Sequence, residues 1–306
     1  TALSFACRMV GLERIVYMVN VSLEQKPYRQ IIIKSYGGEI HPSPSRRTKS
    51  GAAVLDDDPD CKGSLGLAIS EAVEDAATNA GTKYTLGSVL NHVLLHQTII
   101  GQETIQQLQA VDEKPDYVVG CVGGGSNFAG LMLPFLPRKL AGENIRFIAA
   151  EPRACPSLTR GMYRYDYGDM AGLTPLIKMH TLGHSFMPAP IHAGGLRYHG
   201  NAPVLCNLVD AGLVEPRAYF QNECFDAARL FQNTEGFLPA PETAHAIRSA
   251  IDVAEKAKPG SSIVFLYSGH GLLDLASYEA YFQGGLQDFE LDQNTIDQSL
   301  QACPEY

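Results

Sequence analysis

The 306-residue chain reads as an α/β protein with two open, mostly parallel sheets flanked by helices. Three observations carry that reading. Short runs rich in β-branched and apolar residues (ERIVYMVNV, PDYVVGC, IRFIAAEP, SSIVFL) alternate with stretches whose apolar residues recur at helical spacing. The first strand-like run is followed by a helix and a second short strand, the pattern of a right-handed parallel crossover. The run PDYVVGCVGGGSN carries a buried strand directly into a triple-glycine turn.

Composition narrows the class. Hydrophobic residues make up 45% and charged residues 19%, which suits a packed core rather than a disordered chain. The net charge of −9 argues against nucleic-acid binding, which needs clustered Lys and Arg. The apolar opening lacks a basic start and is interrupted by Arg8, Glu13 and Arg14, so it reads as neither signal peptide nor membrane span. The seven cysteines are scattered with no CxxC pair, which points to reduced thiols and a cytoplasmic protein.

Each element follows in order. TALSFACRMVG is a helix closed by Gly11, and ERIVYMVNV is a strand. Residues Glu24 to Tyr36 form one helix, with Pro27 in its first turn and Gly37-Gly38 after its end. EIHPSPS is a short strand, and the polar stretch from Arg46 leads into the helix LGLAISEAVEDAATNAG. Asp56-Asp57-Asp58 lacks the spacing of a calcium loop and reads as a solvated turn. LNHVLLHQTIIGQETIQQLQ is a long amphipathic helix. His92 and His96 stand four apart on it, a metal-ligand spacing, but no acidic residue or third His accompanies them; they read as structural, partly buried residues.

The α/β pattern resumes at Lys114. YVVGC and IRFIAAEP are strands, the second ending near Glu151. Residues 153–201 are rich in Gly, Pro and His with little periodicity, which suggests a functional loop. CFDAARLFQNTEG and ETAHAIRSAIDVAEKA are helices, SSIVFLYSGHG is a strand running into a turn, and the acidic tail after Gly284 is peripheral.

The sharpest chemical signal is Gly123-Gly124-Gly125-Ser126-Asn127 between a buried strand and an apolar helix beginning near Phe128. Glycines let successive backbone N–H groups converge on an anion, and the helix N-terminus adds partial positive charge. This is a phosphate cradle without Lys or Arg; it has neither the P-loop GK[ST] nor the GxGxxG spacing. The competing reading is a tight structural turn. Ser268, in Tyr267-Ser268-Gly269-His270-Gly271, follows the strand IVFL, where parallel sheets place ligands. It lacks the glycine two residues earlier that a nucleophile elbow needs, so a hydrolase triad is disfavoured. His192-Ala193-Gly194-Gly195-Leu196-Arg197-Tyr198-His199-Gly200 looks like a site-facing loop. His192 and His199 have no neighbouring carboxylate or Cys, and no metal site is expected from any of these motifs.

These motifs in this order (LGSVLNHVLLHQTIIGQE, KPDYVVGCVGGGSNFAG, HAGGLRYHG, EGFLPAPETAHA and SGHG) resemble the tryptophan synthase β chain family, in its second, stand-alone-like group of fold-type-II pyridoxal phosphate enzymes. The resemblance spans essentially the whole chain, and it implies a partial N-terminal domain, residues 1–110, that includes a mobile communication-type segment, and a C-terminal cofactor-phosphate-binding domain, residues 111–306. It implies that Gly123, Gly124, Gly125, Ser126 and Asn127 hold the phosphate of pyridoxal 5'-phosphate, that Ser268 meets the pyridine nitrogen, and that Glu151 lies near the ring. It further implies β-replacement through an aminoacrylate, converting L-serine (or an O-activated serine) and indole to L-tryptophan and water. It leaves room for a monovalent cation, and it implies a homodimer in full-length form, with an α subunit left open and neither nucleic acid nor membrane as partner.

In that family the Schiff-base lysine lies in a Gly-Ser-His-Lys-type motif, and a Glu-bearing Gly-Ala-Gly-Gln-type loop grips the substrate carboxylate. Both are expected upstream of Thr1, and no lysine here, Lys26, Lys34 and Lys83 included, sits in such a motif. The catalytic lysine is therefore expected outside this chain, and the isolated chain is expected to be inactive. The alternatives are a non-catalytic fragment or pseudo-enzyme that binds pyridoxal phosphate or another phosphate, and a different fold-type-II enzyme such as a threonine synthase or dehydratase.

Overall fold

The computed structural model describes residues 1–305. Strands β1 (Ile15–Val19) and β2 (Glu39–Ser43) form a parallel pair in the register Ile15↔Glu39 to Val19↔Ser43. The chain crosses between them through two helices, Asn20–Gln25 and Pro27–Ser35, rather than the single helix expected over Glu24 to Tyr36. The break falls at Lys26, because the proline that follows disfavours helical backbone in the residue before it. The polar stretch after β2 also holds a helix, Lys49–Asp57, whose first turn is capped by Thr48 Oγ1 accepting from Gly51 N at 3.1 Å. Ser64 caps the next helix, Leu65–Thr78, in the same way. The helix Asn91–Ala110 matches the amphipathic stretch, but His92 and His96 lie on its exposed side.

The main sheet has four parallel strands in the order β7-β4-β3-β8: β3 (Tyr117–Cys121), β4 (Arg146–Pro152), β7 (Val214–Tyr219) and β8 (Ile263–Phe265). The central strands β3 and β4 are buried and apolar, as sheets covered by helices on both faces require. β7 escaped the pattern reading because Pro216 sits inside it; a proline fits there since β7 is an edge strand. Phe128, Leu131, Met132, Phe135, Phe147 and Leu205 build the largest core cluster. Each such buried side chain contributes about 1.5–3 kcal/mol of transfer free energy.

Residues 153–201 are more regular than expected. They contain an antiparallel hairpin, β5 (Met162–Tyr167) paired with β6 (Leu176–Thr181). The tail is not peripheral: Ile296, in the helix Gln293–Gln301, is fully buried against Cys155, Leu182 and Phe186. Among the described residues no helix is long and apolar enough to cross a membrane, and all seven cysteines are free.

Candidate cofactor site

In the order β7-β4-β3-β8 the chain leaves β3 toward β4 on one side, while β8 returns on the other. That reversal opens a crevice at the carboxyl ends of β3 and β8, where open parallel sheets bind ligands. Both sequence-marked segments meet there. Gly123 to Asn127 follow β3, and Ser268 follows β8. They line one cleft of about 300 Å³ together with Cys121 and Glu242.

The glycine loop is held from behind. Asn201 Nδ2 donates to Gly123 O at 2.6 Å, and Ala202 N donates to Gly124 O at 2.9 Å. A trans peptide sets each carbonyl opposite the following N–H. With the carbonyls of Gly123 and Gly124 tied to this wall, the amides of Gly124 and Gly125 point the other way. Among the described residues none of the backbone amides of Gly123, Gly124, Gly125, Ser126 and Asn127 donates to a backbone acceptor. The helical run begins at Ser126, two residues earlier than expected, so these free amides are also the positive end of its dipole. Two positions need glycine outright. A Cβ on Gly123 would collide with Gly195 O, and Gly125 has φ +95° with Leu205 Cδ2 2.6 Å from where its Cβ would stand.

Ser268 is positioned by a threonine. Its Oγ lies 2.9 Å from Thr243 Oγ1, which also donates to Gly269 O and accepts from Gly269 N, both at 3.0 Å. Cys121 Sγ lies 3.6 Å from the same hydroxyl, and burial pushes that thiol up to about 12, so it stays protonated.

Glu151, which the resemblance puts near the cofactor ring, is not among the residues that line this cleft. Its carboxylate faces the loop after β4, accepting from Leu158 N and Thr159 N at 2.8 Å and from Thr159 Oγ1 at 2.6 Å. Burial nevertheless pushes Glu151 up to about 7 against those donors. The carboxylate in the cleft is Glu242, in the first turn of the helix Pro241–Ala254. Glu242 Oε1 accepts from Gly195 N at 2.8 Å and from Lys26 Nζ at 3.0 Å. Burial alone would raise it; the Lys26 charge, the Gly195 amide and Arg29 overcome that and hold it near 2.

Lys26 is 1% exposed, with Nζ also 2.8 Å from Asp274 Oδ1. It is a buried counter-ion to both carboxylates. Sequence reading missed the Lys26–Glu242 pair because the partners are remote in the chain. The signal was present all the same: Glu242 lies in EGFLPAPETAHA.

The HAGGLRYHG segment backs the cleft through Gly195. His192 Nδ1 is 2.9 Å from Ser277 Oγ, whereas His199 Nε2 is 3.0 Å from Tyr167 O. Buried Arg197 donates to Ser22 Oγ at 2.7 Å, and burial lowers its guanidinium to about 10. Arg197, Lys26 and Ser22 edge an adjoining cavity of about 210 Å³ that reaches β1.

Comparison with known proteins agrees with this architecture. A pyridoxal-phosphate-dependent enzyme family model matches residues 1–269. The chain is 58% identical over 281 residues to a tryptophan synthase beta chain 2 of Thermotoga maritima, covering 91% of this chain and 67% of that protein. It is 54% identical over 308 residues to a tryptophan synthase beta chain 2 of Pyrococcus furiosus, covering 99% of this chain and 69% of that one. It thus spans about two thirds of the length of these relatives. A fungal L-serine ammonia-lyase from Rhizomucor miehei shares the fold at a TM-score of 0.65 and 17% identity, with 93% of this chain and 78% of that chain covered. A cysteine synthase from Entamoeba histolytica does so at 0.61 and 18%, with 98% and 72% covered. With a family match over most of its length and this degree of identity to the beta chains, the chain belongs to the pyridoxal-phosphate-dependent enzymes, within the tryptophan synthase beta chain family.

Proposed function

We propose that this chain forms the cofactor-holding part of an enzyme that joins L-serine, or an O-activated serine, to indole and releases L-tryptophan. The observation that carries the reading is the pairing, in one cleft, of an uncharged phosphate cradle with the hydroxyl of Ser268. The residues fit pyridoxal phosphate. Free amides from Gly123 to Asn127 suit a phosphate, glycines leave room for it, and the Ser268 hydroxyl in the same cleft would serve a pyridine nitrogen. When bound, the cofactor supplies an electron sink at the amino acid's Cα.

The chain's own residues set how strong that sink is. With pyridoxal phosphate bound, a neutral Ser268 hydroxyl would turn its proton from Thr243 Oγ1 to an unprotonated pyridine nitrogen, whereas a carboxylate there would favour protonation of that nitrogen. A weaker sink favours loss of the β-substituent over transamination. Thr243 holds the Ser268 hydroxyl in place. Glu242, kept ionised by Lys26 and tied to Gly195, stands at the cleft wall as a fixed negative charge. Cys121 stays a thiol and presents a neutral surface. The proposal extends to a homodimer in the cytoplasm. It is supported by the exposed Leu95, Ile99 and Ile100 on the helix Asn91–Ala110 and by the seven free thiols.

The test is to supply the chain with the part of the Thermotoga maritima relative that it does not match and to assay with pyridoxal phosphate. Tryptophan formed from serine and indole is the expected result. Faster consumption of threonine than of serine plus indole would refute the assignment. The cofactor-binding part of the proposal is tested separately by dialysis of the chain alone.

A further inference from the structure

Away from the cleft, three potential metal ligands from three separate segments meet in the interior. Asp166 belongs to β5, His184 to the turn after β6, and Cys303 to the tail beyond the helix Gln293–Gln301. Their ligand atoms all lie within 4.8 Å of one another. Asp166 is fully buried, Cys303 is 6% exposed and the His184 side chain 12%. We propose that Asp166, His184 and Cys303 bind a zinc ion that clamps the C-terminal tail to the β5–β6 hairpin.

The donor set selects the metal. One carboxylate oxygen, one imidazole nitrogen and one sulfur suit a borderline-soft ion of tetrahedral geometry, whereas calcium and magnesium require oxygen throughout. Ligands of a tetrahedral zinc ion lie about 3–4 Å apart, within small side-chain adjustments of the present arrangement. Charge balances as well. A carboxylate, a neutral imidazole and a thiolate neutralise a divalent cation, so the buried centre carries no net charge.

The surroundings orient the ligands. Asp166 Oδ2 accepts from Thr181 Oγ1 at 2.7 Å and Oδ1 accepts from Tyr167 N at 2.8 Å, outer contacts that fix a ligating carboxylate. His184 Nδ1 rests 2.7 Å from Asp166 Oδ1, and the Tyr167 ring meets the imidazole edge to face at 5.4 Å. Arg164 donates to Pro304 O at 2.6 Å, which anchors the residue after Cys303 to the same strand. Binding exchanges the thiol proton for the metal: the Cys303 S–H bond breaks, the S–Zn bond forms and one proton is released. A proton on His184 Nδ1 moves to Nε2, the tautomer that leaves Nδ1 free to bind.

The experiment titrates the metal-free full chain with zinc sulfate and counts the ion retained after gel filtration. Cobalt(II) replaces zinc in a parallel sample to report the sulfur ligand. One retained equivalent is expected, together with a cobalt–thiolate charge-transfer band. Alkylation at Cys303, located by peptide mass, should slow at least tenfold with zinc. Cys303→Ser and Asp166→Asn should each lose the equivalent and the band, while Cys7→Ser keeps both. Alkylation of the unsubstituted chain decides the matter even where a variant fails to fold. No retained zinc, unchanged Cys303 alkylation, or equal retention by a folded Cys303→Ser variant would overturn the proposal.

Discussion

Lys26 Nζ and Glu242 Oε1 lie 3.0 Å apart, and this buried pair ties the first crossover of the chain to the wall of the cofactor cleft. The same carboxylate oxygen accepts from Gly195 N, and Gly195 O packs where a side chain on Gly123 would go. One ion pair therefore leads in two steps to the phosphate cradle.

Removing the cation should be costly. Lys26→Met leaves Glu242 and Asp274 without their buried counter-ion, and breaking such a pair destabilises by about 3–5 kcal/mol. Urea unfolding should show a lower midpoint with little change in slope. A midpoint equal to that of the unsubstituted chain would show that Lys26 does not hold this wall.

Glu242 should also leave a mark in acid. Its folded-state value near 2 lies below the ordinary 4.5. A depressed carboxylate contributes stability that is present above about pH 4.5 and lost as pH falls toward 2, here about 3 kcal/mol. Chemical unfolding measured from pH 5 to pH 2.5 should show this decline, and Glu242→Gln should flatten it. Parallel declines in both proteins would place the acid sensitivity elsewhere.

Thr243→Val keeps shape but removes the hydroxyl that meets Ser268 Oγ, Gly269 O and Gly269 N. Leaving those groups unpaired costs about 1–3 kcal/mol. Pyridoxal phosphate affinity should fall by about tenfold or more, and the absorbance of the bound cofactor should shift as Ser268 loses its orientation. Unchanged affinity and spectrum would mean that Ser268 orients itself.

The tail makes its own prediction. Ile296→Ala opens a cavity against Cys155, Leu182 and Phe186 and should cost about 2–5 kcal/mol. Limited proteolysis should cut after Gly284 faster in the variant. Equal cutting rates would return the tail to the peripheral role its composition suggests.

What the sequence disclosed follows from the range of the interactions involved. β3, β4 and the glycine turn are local patterns: an apolar run, then residues that only a tight anion-binding turn needs. The pairing of β1 with β2 was legible for the same reason. The hairpin β5–β6 was hidden because Tyr, Arg, Asp, Lys and His crowd MYRYDY and LIKMHT, and Tyr163, Ile177 and Met179 pack against a core drawn from distant segments. Glu151 and Glu242 could not be told apart as cleft carboxylates from local sequence. Glu151 sits at the carboxyl end of a central strand, yet it spends its oxygens on the next loop. Glu242 faces the cleft because Lys26 and Gly195, both distant in sequence, hold it there.

The proposed function rests on backbone amides from Gly123 to Asn127 gripping a phosphate. Equilibrium dialysis of the chain against pyridoxal phosphate and against pyridoxal tests it most directly. Two or more charge-assisted hydrogen bonds at about 1.5–3 kcal/mol each predict at least ~100-fold tighter binding of the phosphorylated form, with the difference abolished in Gly123→Ala. Equal binding of the two compounds, or an undiminished preference in Gly123→Ala, would contradict it.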